Sequence, residues 1–351
     1  NISWETEETQ TVEETQTIKI RETVNPAPMR RIAMDGLATG EIDPPAWADL
    51  FPGYREDVLV HFKKAGIYFL VDRGIRQGQQ ASPVQPLFKG GDTTKILAVI
   101  KVVDSSENLP KAYLGTRSWT APAKRSFPAD NAFRKYQPHK SLLTAGQQSF
   151  EVHKKCKDMK TYDGCQNVRL GINFQPPSTL NFTVGGNGDR SQDIYQPYQN
   201  VGKPGGPTDA PFNPKQRRIL RLGHTDQWTI TAGGGGVATL ANGHPFHIHI
   251  NPFELVSLIP CTPAEMLDPR NKAKCQDQDL MTKTGTRQTY WKDTLFVPVG
   301  WTATVLSKYT VYSGDFVYHC HILDHEDEGM MEVVRICGQD NRGEAGCQVS
   351  E

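Results

Sequence analysis

No apolar run in this chain of 351 residues approaches the roughly 20 residues that a helical bilayer span requires; the longest are stretches such as ILAVIKVV at 96–103. That excludes a helical membrane protein and leaves a soluble chain with no membrane partner as the expectation. An excess of charge of either sign is also missing, because 39 Lys and Arg stand against 39 Asp and Glu. Without a global field there is nothing to gather nucleic acid or an anionic surface. Sustained helical periodicity is scarce, methionine is sparse at seven residues with no Met-rich segment, and no signal peptide opens the chain. Export would therefore require that a leader has been removed or that the start lies upstream.

What is abundant is turn chemistry: 31 Gly and 24 Pro punctuate apolar runs that are mostly four to eight residues long and rich in β-branched members. Short strands joined by turns follow, and an all-β chain with them. The seven cysteines are Cys156, Cys165, Cys261, Cys275, Cys320, Cys337 and Cys347. With Cys320 set aside, the others form three sequence-local couples, which suit loop-closing disulfides and an oxidising, extracytoplasmic compartment (secreted or periplasmic), although spacing alone does not fix the connectivity.

Along the chain, residues 1–16 are acidic and poor in aliphatics, reading as a flexible leader or a strand whose partners are absent. From TIKIRETV at 17 to about 104 the pattern is β (RRIAMDG, PGYREDVLVHF, GIYFLVD, KILAVIKVV), a domain short of strands at its front. Residues 105–165 read as a connector with a short helix near 128–145. Residues 166–338 hold about eight strand candidates, among them RRILRLGHTDQWTITA, FHIHINPFELVSLI, WKDTLFVPVG, GDFVYHCHI and MMEVVRIC, enough for a complete β-sandwich. A long loop is expected at 185–215 and a tail at 339–351. The patterns NIS at 1–3 and NFT at 181–183 match glycosylation acceptors without identifying a source.

The chemistry concentrates in HCHILDHEDEGMM at 319–331 and HPFHIH at 244–249. In a strand, His319 and His321 project to one face and Cys320 to the other, so a single strand can serve two metal sites. Past Cys320 the chain can turn back to bring His325 to the thiolate, with Met330 beyond. Cys, His and Met at these spacings make most of a blue-copper set, which needs one further imidazole. His244, on the turn before Pro245, can supply it, while His247 and His249 share a face of a second strand. This gives His244, Cys320, His325 and Met330 around one copper, and His247, His249, His319 and His321 facing a separate cluster. Zinc competes for Cys and His, but one thiolate followed by Met is a poor closed tetrahedral zinc set.

These segments resemble the two copper signatures of the last cupredoxin domain of multicopper oxidases, the family of laccases, bilirubin oxidases and bacterial spore-coat laccase-like enzymes. GHTDQWTI and WKDTLFVP are similar to strands of the same domain, and PGYREDVLVHF to the close of the middle domain. The resemblance implies cupredoxin-like Greek-key β-sandwiches, one complete and one partial. It implies a type 1 copper on His244, Cys320 and His325 with Met330 axial, a type 2 copper on His247, and a type 3 pair on His249, His319 and His321. Substrate electrons would enter at type 1 copper and pass through Cys320, His319 and His321 to the cluster, where O2 is reduced to water.

The family's cluster takes eight histidines, half from two His-x-His motifs in a first domain. Here the four remaining histidines, His61, His139, His153 and His224, stand alone. The expectation is a C-terminal subunit or fragment whose type 2 and type 3 coppers are shared with a second polypeptide carrying the first cupredoxin domain. Its reducing substrate would be a phenol, a tetrapyrrole or a metal ion. The rival readings are a type 1 electron carrier that does not reduce O2, and a nitrite reductase, which would leave the histidines flanking Cys320 unexplained. Asp324, Glu326, Asp327 and Glu328 read as a solvated loop or as groups that tune potential or take a proton, and Met331 as core.

Overall fold

The structure, a computed structural model, describes residues 2–7, 29–43, 50–62, 64–72, 95–103, 164–175, 179–185, 209–210, 212, 217–233, 243–277, 290–338 and 347. Residues 105–163 of the expected 105–165 connector, with its expected helix, most of the 185–215 loop, and the tail apart from Cys347 lie outside them, while Cys165 already opens a strand. The described residues are strands with only two short helices and one 3-10 turn, so the all-β expectation holds. Two compact units divide the chain: residues 1–50 with 55–139, and residues 51–54 with 140–351.

The first unit contains β1 (Ile2–Glu7), β2 (Met29–Met34), β3 (Leu37–Asp43), β4 (Glu56–Val60), β5 (Gly66–Asp72) and β6 (Lys95–Val102). They form two antiparallel three-stranded sheets, ordered β1-β5-β6 and β3-β2-β4. Asp35 (φ +50°) and Gly36 (φ +78°) close the hairpin between β2 and β3, the positive-φ pair that a two-residue turn demands. One expectation needs correcting here. The start of the acidic segment is a strand with a partner, since β1 pairs with β5 from Ile2 opposite Asp72 to Glu7 opposite Ile67. Ile2, Trp4 and Thr6 recur at period two, a strand pattern that the acidic count of the segment outweighed.

The second unit contains β7 (Cys165–Gln175), β8 (Thr179–Gly185), β9 (Asp209–Ala210), β10 (Arg217–Arg221), β11 (Thr225–Gly233), β12 (Gly243–Ile248), β13 (Phe253–Ile259), β14 (Tyr290–Lys292), β15 (Thr294–Pro298), β16 (Thr302–Lys308), β17 (Gly314–Cys320) and β18 (Met331–Cys337), with helices α1 (Pro263–Met266) and α2 (Leu323–Asp327). A seven-stranded sheet runs β14-β13-β16-β11-β7-β8-β9, and a five-stranded sheet runs β10-β18-β17-β12-β15. Two pairings are parallel, β10 with β18 and β11 with β7, so the sheets are mixed.

One core fills the space between them. Trp228, Phe253 and Leu255 come from the larger sheet, and Phe246, Tyr318 and Ile336 from the smaller, each of them fully or almost fully buried. Buried side chains of this size contribute about 1.5–3 kcal/mol apiece. Several polar side chains in the core are tied together: Trp228 Nε1–H donates to the Tyr309 hydroxyl at 2.8 Å. The guanidinium of Arg218 donates to Glu332 at 3.1 Å and to Gln166 Oε1 at 3.0 Å, and the Tyr318 hydroxyl also donates to Glu332. Disulfides join Cys261 to Cys275 and Cys337 to Cys347, and Cys165 is disulfide-bonded as well, while Cys320 is a buried free thiol.

The run FHIHINPFELVSLI, read as one strand, is two. Ile250 takes φ +71°, and the Asn251 N–H donates to the His249 carbonyl at 2.9 Å, folding the chain between β12 and β13. His249 and His321 therefore lie one residue beyond the ends of β12 and β17.

Candidate metal centre

The register between β12 and β17 sets the chemistry. Phe246 lies opposite Cys320 and His247 opposite His319, and cross-strand partners share a face of the sheet. Phe246 and Cys320 both enter the core. His247 and His319 consequently face the other way.

His244, two residues before Phe246, shares its inward face and is fully buried. His325 arrives from α2, and the loop that carries it is fastened by main chain. The Cys320 N–H donates to the Met330 carbonyl at 3.0 Å, the Met330 N–H donates to the His325 carbonyl at 2.8 Å, and Gly329 turns the chain at φ +106°. Cys320 Sγ then lies 3.5 Å from His325 Nδ1 and 3.7 Å from His244 Nδ1, and the two Nδ1 atoms are 3.2 Å apart. Met330 is fully buried in the same core cluster as Cys320.

Burial lowers the His244 imidazole to about 3, helped by the neighbouring His325 and opposed by the Gly233 backbone. Burial likewise lowers His325, with Asp324 opposing. Both rings are neutral at physiological pH, as ligands must be. Burial pushes the Cys320 thiol up to about 12, with the Ile322 backbone opposing and the Glu326 carboxylate reinforcing. A thiolate in so dry a pocket needs a cation beside it. Two neutral imidazoles and a soft thiol aimed at one point, with a thioether in the same cluster, fit copper by the chemistry of the donors.

The second group lies beyond the other face of the strands. His247, His249 and His319 each offer a nitrogen within 4.8 Å of the others, and His249 Nε2 is 3.2 Å from His319 Nε2. The other ring nitrogens of His247 and His319 are held from behind. His247 Nδ1 is 2.9 Å from the Asp293 carbonyl and 2.9 Å from the Thr294 hydroxyl. His319 Nδ1 is 2.9 Å from the Cys320 carbonyl and 3.1 Å from Glu326 Oε2. A carbonyl only accepts, so Nδ1 carries the proton in both rings and Nε2 is left to face the group. Burial lowers His319 to about 4, opposed by the Cys320 backbone and helped by His247, His249 and His321. His249 is lowered by burial first and by His247 next. The His321 ring stands beside them, its centre 5.4 Å from that of His247 and 5.5 Å from that of His319, outside the three-nitrogen group.

The eight residues singled out in the sequence thus fall in two places, with His321 at the margin of the second. His61 and His224 join neither group, and His139 and His153 lie outside the described residues. Asp293 and Thr294, which orient His247, carried no signal beyond their place in WKDT. Glu326, noted only as one carboxylate of four, proves to face His319.

Residues 172–339 match the family model described as multicopper oxidase. The laccase of Bacillus subtilis (strain 168) is 29% identical over 122 residues, a match covering 33% of this chain and 21% of that protein. Multicopper oxidase LPR1 of Arabidopsis thaliana is 26% identical over 203 residues, covering 50% of this chain and 32% of that one. Among solved structures, the multicopper oxidase from Campylobacter jejuni superposes with a TM-score of 0.49 at 17% identity, over 88% of this chain and 49% of the other. The chain therefore spans a fifth to a third of the length of these curated relatives.

Proposed function

We propose, from the premise that residues 172–339 form a multicopper oxidase domain, that this chain is the C-terminal part of a laccase-like oxidase. His244, Cys320, His325 and Met330 would hold type 1 copper. His247 would bind type 2 copper, and His249, His319 and His321 the type 3 pair. When bound, copper supplies one-electron acceptance from a reducing substrate at the first group and reduction of O2 to water at the second.

One observation carries the reading. Cys320 belongs to the first group while His319, its covalent neighbour, belongs to the second, so the two are joined through a single peptide linkage. The residues around them have definable tasks. His244 is sealed from water, while His325 retains 7% of its surface and is the edge at which a donor can approach. The Cys320 carbonyl and Glu326 fix the proton of His319 on Nδ1. Asp293 and Thr294 do the same for His247.

The second group is incomplete as a trinuclear site, since four histidines of the described residues stand at it. The remainder would come from a second polypeptide, or a separated segment of the same gene product, bearing two His-x-His motifs. The reducing substrate would be a phenol, a tetrapyrrole or a metal ion. Disulfides at Cys261–Cys275 and Cys337–Cys347 support an extracytoplasmic setting.

The solitary half-set of cluster histidines favours one other reading, a type 1 electron-transfer module. Copper per chain, optical and paramagnetic spectra, and oxygen uptake are to be measured on the isolated chain and on the native assembly. One copper with an intense thiolate band and no oxygen uptake in either sample decides for the module. Three or more further coppers and oxygen uptake in the assembly decide for the oxidase.

A further inference from the structure

The second histidine group has a support that the ligand signatures do not contain. Residues Phe51–Tyr54 belong to the same compact unit as both groups. They form a tight turn in which the Tyr54 N–H donates to the Phe51 carbonyl at 2.9 Å. Phe51 stacks on Phe296, ring centres 4.2 Å apart and planes 8° from parallel. The Tyr54 hydroxyl accepts the Phe296 N–H at 2.8 Å, and the Lys292 ammonium sits 3.9 Å from the centre of the Tyr54 ring. Since β15 is the edge strand of its sheet among the described residues, that hydroxyl supplies an acceptor where no further described strand follows.

These anchors bring Gly53 against the cluster. Gly53 has φ +83°, and a Cβ there would fall 2.6 Å from His321 Cδ2, 2.7 Å from His321 Cγ and 3.0 Å from the Thr294 methyl. Glycine is required twice over, for the backbone angle and for the approach. Thr294 and Phe296, two residues apart on β15, share a face. Thr294 passes the contact on, because its hydroxyl is 2.9 Å from His247 Nδ1.

We propose that the turn Phe51–Tyr54 is a positioning element of the second histidine group, with Gly53 setting the face that His321 presents to His247 and His319. Its remaining freedom is limited from the other side, where the His321 N–H donates to the Pro245 carbonyl at 2.8 Å. The proposal rests on the copper reading only for what the histidines are positioned to bind.

The test uses the full chain as wild type, Gly53→Ala and Tyr54→Phe, the last removing a single hydroxyl. Long-range proton–nitrogen spectra of the imidazoles are recorded without metal, and Cu(II) is then titrated. The expected result is displaced His321 and His247 signals in Gly53→Ala, smaller displacements of the same signals in Tyr54→Phe, and unmoved His244 and His325. Cu(II) then binds the second group at least tenfold more weakly in Gly53→Ala, with the thiolate band of the first group kept. If Gly53→Ala does not fold, Tyr54→Phe decides alone. His321 signals and second-group copper affinity at wild-type values in the folded variants overturn the proposal. A second group that takes up no copper in the wild-type chain or in the native assembly, with His321 still displaced by Gly53→Ala, defeats the copper reading and upholds the positioning role.

Discussion

The N–H of Cys320 donates to the carbonyl of Met330 at 3.0 Å, tying together two candidate ligands of one site through the main chain rather than through any metal. The first group is thus organised before it binds anything, and substitutions within it should separate chemistry from folding.

Cys320→Ser should leave the far-ultraviolet circular dichroism of the chain unchanged while abolishing the intense thiolate-to-copper band. The replacement is close in volume, and the Cys320 N–H keeps its acceptor whatever the side chain. Persistence of that band in the serine variant would refute the assignment of Cys320 as ligand.

Met330→Leu replaces a thioether by a hydrocarbon of similar volume in a fully buried position. Such swaps cost less than about 1.5 kcal/mol. The variant should keep copper and colour in the first group but show a shifted reduction potential if the thioether is a ligand, because a weak sulfur ligand tunes it. Redox titration followed by the optical band measures the shift; an unchanged potential removes Met330 from the ligand set.

Glu332→Ala strips the counter-charge from Arg218, which is 1% exposed. Removing one member of a buried ion pair costs about 3–5 kcal/mol. Urea unfolding should show a loss of that size. The double variant Arg218→Met with Glu332→Leu should recover much of it, since the pair can be exchanged for apolar groups.

Asp315 on β17 accepts from Arg335 Nε at 2.6 Å and Nη2 at 2.8 Å, and from Arg217 Nε at 2.9 Å. Hydrogen bonds from Arg335, then from Arg217, hold its carboxyl below the ordinary value of 3.8. The folded state binds the proton less readily than the unfolded chain. Its stabilising contribution is therefore complete above the ordinary value and disappears as the pH falls through the lower folded value. Asp315→Asn should cost roughly 0.5–1 kcal/mol at neutral pH, the site being partly exposed, and nothing in strong acid. Urea midpoints of both proteins across that range measure the convergence.

The sandwich and the two groups of candidate ligands were legible because both obey local rules. Period-two alternation separates Cys320 from His319 without any knowledge of the fold, and turn residues mark where strands stop. The break at Ile250 was not legible, since the apolar pattern runs straight through it. Contacts that orient the histidines were invisible for a different reason. Tyr54 reaches Phe296 across 242 positions of sequence, and nothing in a tyrosine says which strand its hydroxyl will meet. The strand at Ile2–Glu7 was obscured by its own carboxylates, which composition weighs and alternation does not.

The pairing of His247 with His319 and of Phe246 with Cys320 also constrains how the gene for this chain can change. Loss or gain of one codon within Val317–Cys320 would rotate the following side chains by half a turn, sending the sulfur toward solvent and an imidazole into the oil. Point substitutions there cost one candidate ligand, whereas an indel would exchange the donors of the two candidate metal groups at a stroke. Variation in length should therefore accumulate elsewhere in the chain and spare this stretch.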